Sequence, residues 1–561
     1  MHTYKKSAIN TGKALGFHLF CVILQTIYEK RHITVKKYVL LIAATMALLP
    51  GKGMADSWDA ENYKPFDTNV LLEKTNLPIV FIDSRNEEGA TTAIHKDYRV
   101  AVHMTIINNT NGLNYADTLA HPGQTKDYDG WVAIKYRGNS SFADSDKKPY
   151  GFKTLKTADV DGEKKKVELL GMPKDNNWVM LAPYHDRSLI RDVLMYQLAR
   201  PYFEFTPNAK FCEMILDGTY YGVYILCEKP SKGKHRLNLT EPGDSGDELT
   251  GDYLVQIDRN NEPHYVLKHK MFNKEIYMKY DFPEYEDMMP AHPEQVEYIQ
   301  RRMDAMEDAL SASFFASDEV GYRKYIDERS FVDYQLSTEF ASNPDGYRLS
   351  TNIYKRRDSV DPHFKAVLWD FNLAFGNNNG DLLTRNAWMY QVGKGLALLG
   401  KNVVPFWWDR LTEDEAYWRS MKERWAEYRM NSFASQHIND LIDSLVNELN
   451  AEGACERNYQ AWPNWDKKVN LAPNHAKDYP EEIAFLRRWI ERRVAWMDSR
   501  LNFDASKQAA GIAAIIPAEN LEVEGIYSLK GQRVDHPHNG IFVVRYKDGS
   551  TRKKRFSSHK K

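Results

Sequence analysis

Hydrophobic and polar positions change their period along the chain, and this change separates a β-rich part from a helical part. Short runs of β-branched and aromatic residues bounded by turn residues predict strands at residues 77–82, 98–107, 131–136 and 177–182. Two more runs, residues 211–216 and 221–226, bracket Asp217-Gly218, which is typical of a hairpin turn. Amphipathic spacing predicts helices at residues 189–199, 294–313, 328–342, 418–429, 434–449 and 481–501. The pattern therefore predicts an α+β fold with a mainly β lobe followed by a mainly helical lobe.

Two polar loops flank a predicted hairpin in the helical part. The first loop runs from Asn343 to Asn352 and contains Asp345, and the second contains Asp370. Apolar runs between them, residues 353–355 and 364–368, predict the two strands of the hairpin. The polar residues of the first loop then lie at the entrance of the hairpin and Asp370 lies at its exit. We therefore expect the side chains of Asp345, Asn352 and Asp370 to lie together at one end of the hairpin.

Ligand chemistry gives this end of the hairpin a candidate function. Carboxylate and amide oxygens are hard donors, which suit magnesium, calcium or manganese better than zinc. A free carboxylate beside a metal-bound phosphate also orients a hydroxyl nucleophile, and phosphoryl transfer requires that combination. A structural interpretation stands beside it, because Asp-Gly and Asn-Pro-Asp form turns and Trp-Asp-Phe at a strand end packs into a core. The junction of a β lobe and a helical lobe favours a cleft site.

A further polar loop, residues 137–141, follows the strand predicted at residues 131–136. A small-residue loop between two strands can cover phosphate groups with its backbone N–H groups. The next segment, residues 147–155, alternates Lys and apolar residues imperfectly. One of its lysines can point into a cleft, or the segment is an ordinary amphipathic hairpin with solvated lysines.

Composition excludes some classes of function and leaves others open. The 561 residues include 75 basic and 77 acidic side chains, so the net charge of -2 favours neither a nucleic-acid partner nor an anionic membrane. The length allows two or three domains. Aromatic residues make up 12% of the chain, which argues against disorder and suits a carbohydrate-facing or peptide-facing surface as well as a large core.

The N-terminal residues have the order of a secretory signal. Lys36-Lys37 precede an apolar run at residues 38–49, and small residues end at Ala55. Residues 1–55 are therefore expected to be a leader region with an over-extended start, in which the signal itself occupies about residues 35–55. An uncleaved N-terminal anchor is the alternative. The signal predicts an exported protein in the periplasm, on the outer surface or outside the cell.

The cysteines show no metal-binding spacing. Cys212, Cys227 and Cys455 remain after the leader, and no CxxC or Cys/His pattern occurs. Cys212 and Cys227 lie on neighbouring predicted strands. They form either a disulfide in an oxidising compartment or two buried free thiols.

Several of these motifs, taken in order, resemble the spore coat protein H (CotH) kinase-like family. The residues that carry the resemblance are Arg137-Gly138-Asn139-Ser140-Ser141 with Lys147-Lys148-Pro149-Tyr150, Asp186-Arg187-Ser188 to Arg191-Asp192, Gly222-Val223-Tyr224 to Glu228-Lys229, Asn343 to Asn352, and Trp369-Asp370-Phe371 to Phe375-Gly376. The resemblance spans roughly residues 130–430. It implies an atypical protein-kinase-like bilobal fold, with a β-rich N-lobe and a helical C-lobe, that binds ATP with Mg²⁺ or Mn²⁺.

The resemblance also implies roles for individual residues. Asp345 matches the catalytic aspartate of the family, and Asn352 and Asp370 match its metal-binding residues. For cofactor binding the resemblance implicates Arg137, Asn139, Ser140, Lys148, Lys153 and Glu228. Among these, the loop at residues 137–141 would cover the nucleotide and one of the lysines would approach its phosphates.

Two departures from the family pattern bear on activity. The spacing from Asp345 to Asn352 is two residues longer than the kinase catalytic-loop pattern Asp-x4-Asn. Asn372 also stands where the family commonly has Asp, and one carboxylate fewer weakens divalent metal binding. A non-phosphorylating relative is therefore an alternative.

The C-terminal residues predict a separate module. Short apolar runs separated by Gly turns indicate a small β module within residues 505–561, after a linker. It resembles C-terminal domains of exported proteins in Bacteroidetes-type bacteria, which are linked to secretion or surface attachment. With residues 56–128 as an accessory β segment and residues 129–504 as the kinase-like domain, this completes the expected domain order.

The sequence leads to one main function and two alternatives. The main prediction is a secreted or envelope kinase that transfers the ATP γ-phosphoryl group to a hydroxyl of an exported protein, with no nucleic-acid partner. One alternative is a catalytically degenerate kinase-like scaffold that acts in surface or coat assembly or in glycan binding. The other is an adhesin-like module in which the Asp/Asn loops bind structural Ca²⁺.

Overall fold

The computed structural model describes residues 63–85, 89–378, 386–398, 400–469, 472–473, 476–504, 523–528, 532–534, 540–546 and 551–556. The leader predicted within residues 1–55 lies outside them. In chain order the first strands are β1 (Lys74–Thr75), β2 (Ile79–Asp83), β3 (Val100–Ile107), β4 (Asn114–Tyr115), β5 (Lys126–Tyr136), β6 (Tyr150–Thr154), β7 (Val167–Leu169), β8 (Met172–Asp175), β9 (Asn177–Leu181), β10 (Ala209–Leu216) and β11 (Thr219–Cys227).

Seven of these strands close a barrel, in the order β10-β11-β9-β6-β5-β3-β2, with a parallel pairing of β10 and β2. Alternate residues of β3 are buried, which is the pattern of a strand with one face on a core. The predicted hairpin is confirmed: β10 and β11 pair across Asp217 and Gly218, whose φ angles of 50° and 82° are both left-handed.

The barrel also absorbs the predicted accessory segment. The expected boundary at residue 128 falls inside β5, and β2 and β3 pair with barrel strands. Strands β2 and β3 lie between β10 and β5 and close the barrel, so the strands after residue 129 do not form it alone. Cys212 and Cys227 are buried free thiols in this barrel, and Cys455 is a buried free thiol as well.

The helices, in chain order, are α1 (Ser140–Ala143), α2 (Arg191–Ala199), α3 (Gly246–Leu249), α4 (Tyr285–Met288), α5 (Pro293–Ser311), α6 (Glu328–Ala341), α7 (Gly393–Leu398), α8 (Trp407–Thr412), α9 (Glu415–Met430), α10 (Ser435–Asn450), α11 (Ala454–Ala461) and α12 (Tyr479–Arg500). Short 3-10 helices occupy Arg200–Tyr202, Tyr322–Lys324 and Met389–Gln391. The predicted helices are confirmed with small shifts at their ends. For example, α2 begins only at Arg191, because Leu189 has a left-handed φ of 64°.

A second sheet lies among the helices. It comprises β12 (Tyr253–Asp258), β13 (His264–Val266), β14 (Tyr277–Phe282), β15 (Thr351–Lys355) and β16 (Lys365–Val367), in the order β13-β14-β12-β15-β16. The predicted hairpin between the two polar loops is confirmed as β15 and β16, which pair antiparallel. Its partner β12 comes from almost a hundred positions earlier in the chain.

Near the C-terminus, β17 (Val523–Tyr527), β18 (Gly540–Tyr546) and β19 (Thr551–Phe556) form a three-stranded antiparallel sheet. The predicted small β module is therefore present. Its resemblance to export domains stays a prediction. Among the described residues, no helix has the length and apolar character needed to span a bilayer.

The helical part buries an ion pair beneath the first polar loop. Glu339 of α6 and Arg493 of α12 are both fully buried, and Arg493 Nη2 lies 3.0 Å from Glu339 Oε2. Glu339 also accepts hydrogen bonds from the Tyr347 hydroxyl and from the backbone N–H of Met389. This network connects two helices to the loop that carries Asp345.

Replacement of Arg493 by Ala is therefore expected to lower the free energy of unfolding by about 3–5 kcal/mol, because it leaves the Glu339 carboxylate buried without its cation. Urea unfolding monitored by circular dichroism measures the change. Arg492→Ala is the matched control, because Arg492 is the exposed neighbour on the same helix. A loss of equal size in both variants would contradict the role given to the buried pair.

Candidate functional site

Asn343 connects the two polar loops. Its side-chain amide donates a hydrogen bond from Nδ2 to the carbonyl of Asp370 at 2.9 Å, and its Oδ1 accepts the backbone N–H of Asp345 at 3.2 Å. Asn343 is buried at the end of α6, where Ser342 adopts a left-handed φ of 45°. One buried side chain thus fixes the separation of the two aspartates.

The loop that carries Asp345 is held from both sides. Arg348 donates from Nε to the carbonyl of Pro344 at 2.7 Å, and its Nη2 lies 2.9 Å from Asp345 Oδ1. Gly346 is required by space, because a Cβ there would lie 2.3 Å from the methyl group of Thr338. The loop therefore presents Asp345, which is partly exposed, from a fixed backbone.

Left-handed backbone conformations cluster at this site. Tyr347, Ser350 and Asp370 have φ angles of 71°, 50° and 65°. Such conformations cost a non-glycine residue of the order of 1 kcal/mol or more, and they persist where the surrounding structure holds them. Their concentration in two neighbouring loops is typical of a functional site.

Asn352 reaches the same place in spite of its longer spacing. It lies in β15 between Gln256 of β12 and Val367 of β16. Its Nδ2 donates to the carbonyl of Ser350 at 3.2 Å, and its Oδ1 accepts from Gln256 Nε2 at 3.2 Å. The two extra residues are taken up in the turn before β15, where Leu349 N–H bonds to the carbonyl of Asp345.

Helix α2 holds the loop that carries Asp370. The Asp192 carboxylate accepts the backbone N–H of Phe371 at 2.7 Å, and the Tyr196 hydroxyl accepts that of Asp370 at 3.2 Å. Arg191 donates from Nε to the carbonyl of Ala374 at 3.1 Å. One helix therefore fixes the backbone of the loop at Asp370, Phe371 and Ala374.

Asp345, Asn352 and Asp370 line a common cleft of about 590 Å³. Its acidic end includes Asp192, Asp258, Asp345 and Asp370. The barrel contributes a basic wall that consists of Lys96, Arg99, Lys135, Arg137 and Lys229. A further acidic group, Glu262, Asp281, Glu284 and Glu286, also lines the cleft. The cleft is thus lined by carboxylates and cations together, and Asp281 and Glu284 act electrostatically on Lys229 of the basic wall.

Burial and like charges shift the titration of the acidic end. Burial, with the neighbouring carboxylate of Asp345, raises the pKa of Asp370 to about 6, although Arg137 opposes the shift. Burial, with the charge of Asp370, raises the pKa of Asp192 to about 8. Carboxylates held together in this way favour a bound cation.

In the basic wall, burial lowers the pKa values of lysines. Burial lowers the pKa of Lys96, and the charges of Lys135 and Arg137 lower it further. Burial also lowers the pKa of Lys229. Within the described part of the chain, the five cations of the wall have no carboxylate within salt-bridge distance, whereas Lys279 of the same cleft pairs with Glu262 at 3.0 Å. The wall therefore suits an anionic ligand such as a phosphate chain.

The loop at residues 137–141 lies along the cleft, as predicted, and Arg137, Asn139 and Ser140 all line it. Lys96 donates to the carbonyl of Gly138 at 2.5 Å, and the Arg137 guanidinium lies 5.6 Å from the centroid of the Trp369 ring. Gly138 has a φ of 85°, a conformation that glycine adopts without strain.

Lys148, Lys153 and Glu228 do not line the cleft. The Lys148 ammonium donates to the carbonyls of Phe142 and Ser145, so it holds the loop from behind. Lys153 lies on β6 beside the basic wall, and its pKa is lowered by burial and by Arg99.

Glu228 is fully buried and accepts hydrogen bonds from the backbone and side chain of Asn208 at 2.9 and 2.8 Å. It fixes the end of β11. The sequence could not show whether Lys148, Lys153 and Glu228 contact a ligand or other parts of the protein. The direction of a side chain on a strand is known only once the neighbouring strands are known.

Sequence reasoning missed Asp258, Asp192, Lys135 and Lys229 as cleft residues. Asp258 ends β12 and is buried, and its position beside β15 arises only from strand pairing across the chain. Lys229 follows Glu228 directly in the motif that resembles the family. The motif therefore pointed to this part of the chain, but it did not indicate that the Lys229 side chain lines the cleft.

The donor set fits a magnesium or manganese ion that is shared with phosphate. Asp370, Asn352 and Asp258 supply carboxylate and amide oxygens, which are hard donors. Within the described residues, no group of three His, Cys, Asp or Glu side chains is already assembled as a metal site. Magnesium commonly takes one or two protein carboxylates, with phosphate oxygens and water as its other ligands. The residues therefore suit a metal that arrives with a nucleotide.

Asp370→Asn is expected to raise the stability of the ligand-free protein by about 1–3 kcal/mol at pH 7.5, because the raised pKa makes ionisation of Asp370 unfavourable in the folded state. The wild-type penalty develops as pH rises from about 4 to about 6, so the gain should vanish below pH 4, where both states hold the proton. Urea unfolding across this pH range measures it. The exposed Asp466→Asn is the control, and a stability loss in Asp370→Asn at pH 7.5 would contradict the electrostatic account.

Comparison with known proteins identifies the family of the chain. No curated protein matches the chain. The family model described as CotH kinase protein matches residues 134–497, which begin inside β5 and end inside α12. The match includes every residue of the two polar loops and of helix α2. The chain therefore belongs to the CotH kinase protein family.

Proposed function

We propose that the protein is an exported atypical kinase that transfers the γ-phosphoryl group of ATP to a hydroxyl of an exported protein. The observation that carries the proposal is the cleft, which is lined both by carboxylates and by cations that have no salt-bridge partner among the described residues. A nucleotide with its metal satisfies both groups at once. The barrel acts in this proposal as the N-lobe, and the helices with the second sheet act as the C-lobe.

Each group at the site has a role in this reaction. Asp345 orients the acceptor hydroxyl and takes up its proton. Asp370 and Asn352 hold Mg²⁺ or Mn²⁺, which would neutralise charge on the phosphates. Arg137 and the loop after it cover the nucleotide, and the phosphates lie against the basic wall. Catalysis then rests on position and electrostatics, without a covalent intermediate.

The contacts of Asp345 support its role. Its carboxylate is partly exposed, and among the described residues only Arg348 bonds to it, at Oδ1. The other oxygen is available to an acceptor hydroxyl. Arg348 at the same time holds the carboxylate in place through Oδ1.

A scaffold without transfer activity is the second candidate function. Asn372 lines the cleft where a carboxylate is common in the family, so the acidic end has one metal ligand fewer. Such a protein would bind partners or glycans in surface or coat assembly. In either case, the small C-terminal sheet would serve secretion or surface attachment.

Nucleotide binding and phosphoryl transfer test the proposal. ATP with Mg²⁺ or Mn²⁺ is expected to raise the melting temperature by about 2–5 °C at saturating ligand. Radiolabel from γ-labelled ATP should enter the protein itself or co-exported proteins. Asp345→Asn should lower this transfer about 10²–10⁴-fold, since it removes the group that takes the proton. Asp466→Asn, a change at an exposed aspartate outside the cleft, should leave transfer unchanged.

The alternatives give different results. ATP binding without label transfer would favour the scaffold. A Ca²⁺ shift without any nucleotide effect would favour a calcium-stabilised module. Transfer that Asp345→Asn leaves unchanged would contradict the catalytic role of Asp345.

A further inference from the structure

Arg259 is a cation at the acidic end of the cleft. It follows Asp258 directly at the end of β12, and both residues line the cleft with Asp345 and Asp370. Its side chain is 35% exposed. Neither the family-like motifs nor the hairpin of the polar loops drew attention to it.

The contacts of Arg259 are weak ones. Its Nη1 lies 3.5 Å from Asp258 Oδ1, and its Nη2 donates to Ser140 Oγ at 3.3 Å. Strong charge-assisted hydrogen bonds of arginine are 2.7–2.9 Å long. The guanidinium therefore has hydrogen-bonding capacity left for an incoming anion.

Arg348, the other arginine beside this end, is committed. It is buried and makes two short hydrogen bonds, at 2.7 Å to the carbonyl of Pro344 and at 2.9 Å to Asp345. Burial lowers the pKa of Arg348, and the charge of Arg259 lowers it further. The two guanidinium groups are thus within electrostatic range of each other, with Arg259 on the side that faces the cleft.

Arg259 also connects the two sides of the cleft. Ser140 belongs to the loop that lies along the cleft, whereas Arg259 directly follows β12, a strand of the sheet that carries Asn352. A phosphate that enters between them competes for the guanidinium with Ser140 and Asp258. Its planar fork offers two parallel N–H donors to phosphate oxygens, which the ammonium of Lys does not.

We propose that Arg259 is a catalytic residue that binds the oxygens of the phosphoryl group during its transfer. The inference rests on the proposed kinase function and deepens it. The acceptor oxygen forms a bond to the γ-phosphorus, the bond from that phosphorus to the β–γ bridging oxygen breaks, and its electron pair leaves with ADP. The proton of the acceptor hydroxyl passes to Asp345. Arg259 stays protonated and neutralises charge on the transferring group.

The test compares Arg259→Gln with Arg85→Gln. Arg85 is a matched control because it is an exposed arginine that pairs with an aspartate, Asp83, outside this cleft. Arg259→Gln is expected to lower kcat about 10²–10³-fold and to change KM for ATP less than about 3-fold, because the contact forms mainly in the transition state. Arg85→Gln should behave as wild type.

A second measurement does not depend on the acceptor. ADP with aluminium fluoride and Mg²⁺ is an analogue of the transition state of phosphoryl transfer. Its affinity for Arg259→Gln should fall about 10-fold or more, while the affinity for ADP with Mg²⁺ stays unchanged. Arg259→Lys, which keeps the charge without the fork, should recover only part of kcat.

The outcomes separate this inference from the proposed function. If wild-type protein transfers phosphate and Arg259→Gln keeps its kcat and its aluminium fluoride affinity, the inference alone is overturned. A rise in KM at constant kcat also overturns it, because Arg259 then serves ground-state binding. If wild-type protein binds no nucleotide, the proposed function fails and the inference fails with it. Melting temperatures verify the fold, and Arg259→Lys provides the decision if Arg259→Gln does not fold.

Discussion

The hydrogen bonds of Asn343 set the distance on which the whole site depends. Asp345 and Asp370 carry like charges, and two like charges in a partly buried cleft repel each other. The buried amide bonds to the backbone of both loops and holds them together against this repulsion. Because a buried amide is costly unless it is bonded, these two hydrogen bonds hold the Asn343 side chain in this position. A cation between two such carboxylates would lower their repulsion.

The rest of the fold supplies rigid supports for this pair. Helix α2 fixes the Asp370 loop through Asp192 and Arg191. The buried ion pair of Glu339 and Arg493 supports the Asp345 loop. These supports allow left-handed backbone at Asp370 to persist in spite of its cost. The barrel then brings cations to the other side of the cleft. The combination of carboxylates and cations in one cleft is therefore a property of the assembled structure and not of any one motif.

Local sequence patterns predicted much of the secondary structure and part of the site. The hairpins at Asp217-Gly218 and at β15 and β16, and the long helices, follow from short-range periodicity and turn chemistry. The convergence of Asp345, Asn352 and Asp370 also followed, because a hairpin brings its two ends together. The choice of lysine did not: Lys148 turns toward backbone carbonyls behind the loop, and no local pattern distinguishes that direction from the cleft.

The sequence by itself determined the two polar loops, the hairpin that joins them and the helix that leads into them, since each depends on residues close together in the chain. Only the tertiary structure decided that Asp258 and Arg259 line the same cleft as Asn352, because β12 and β15 pair across almost a hundred positions. Tertiary structure also decided that Lys96, Lys135 and Lys229 form one wall, because closure of the barrel brings together strands and loops that are distant in sequence. Long-range pairing has no local signature, and the chemistry of the cleft depends on it.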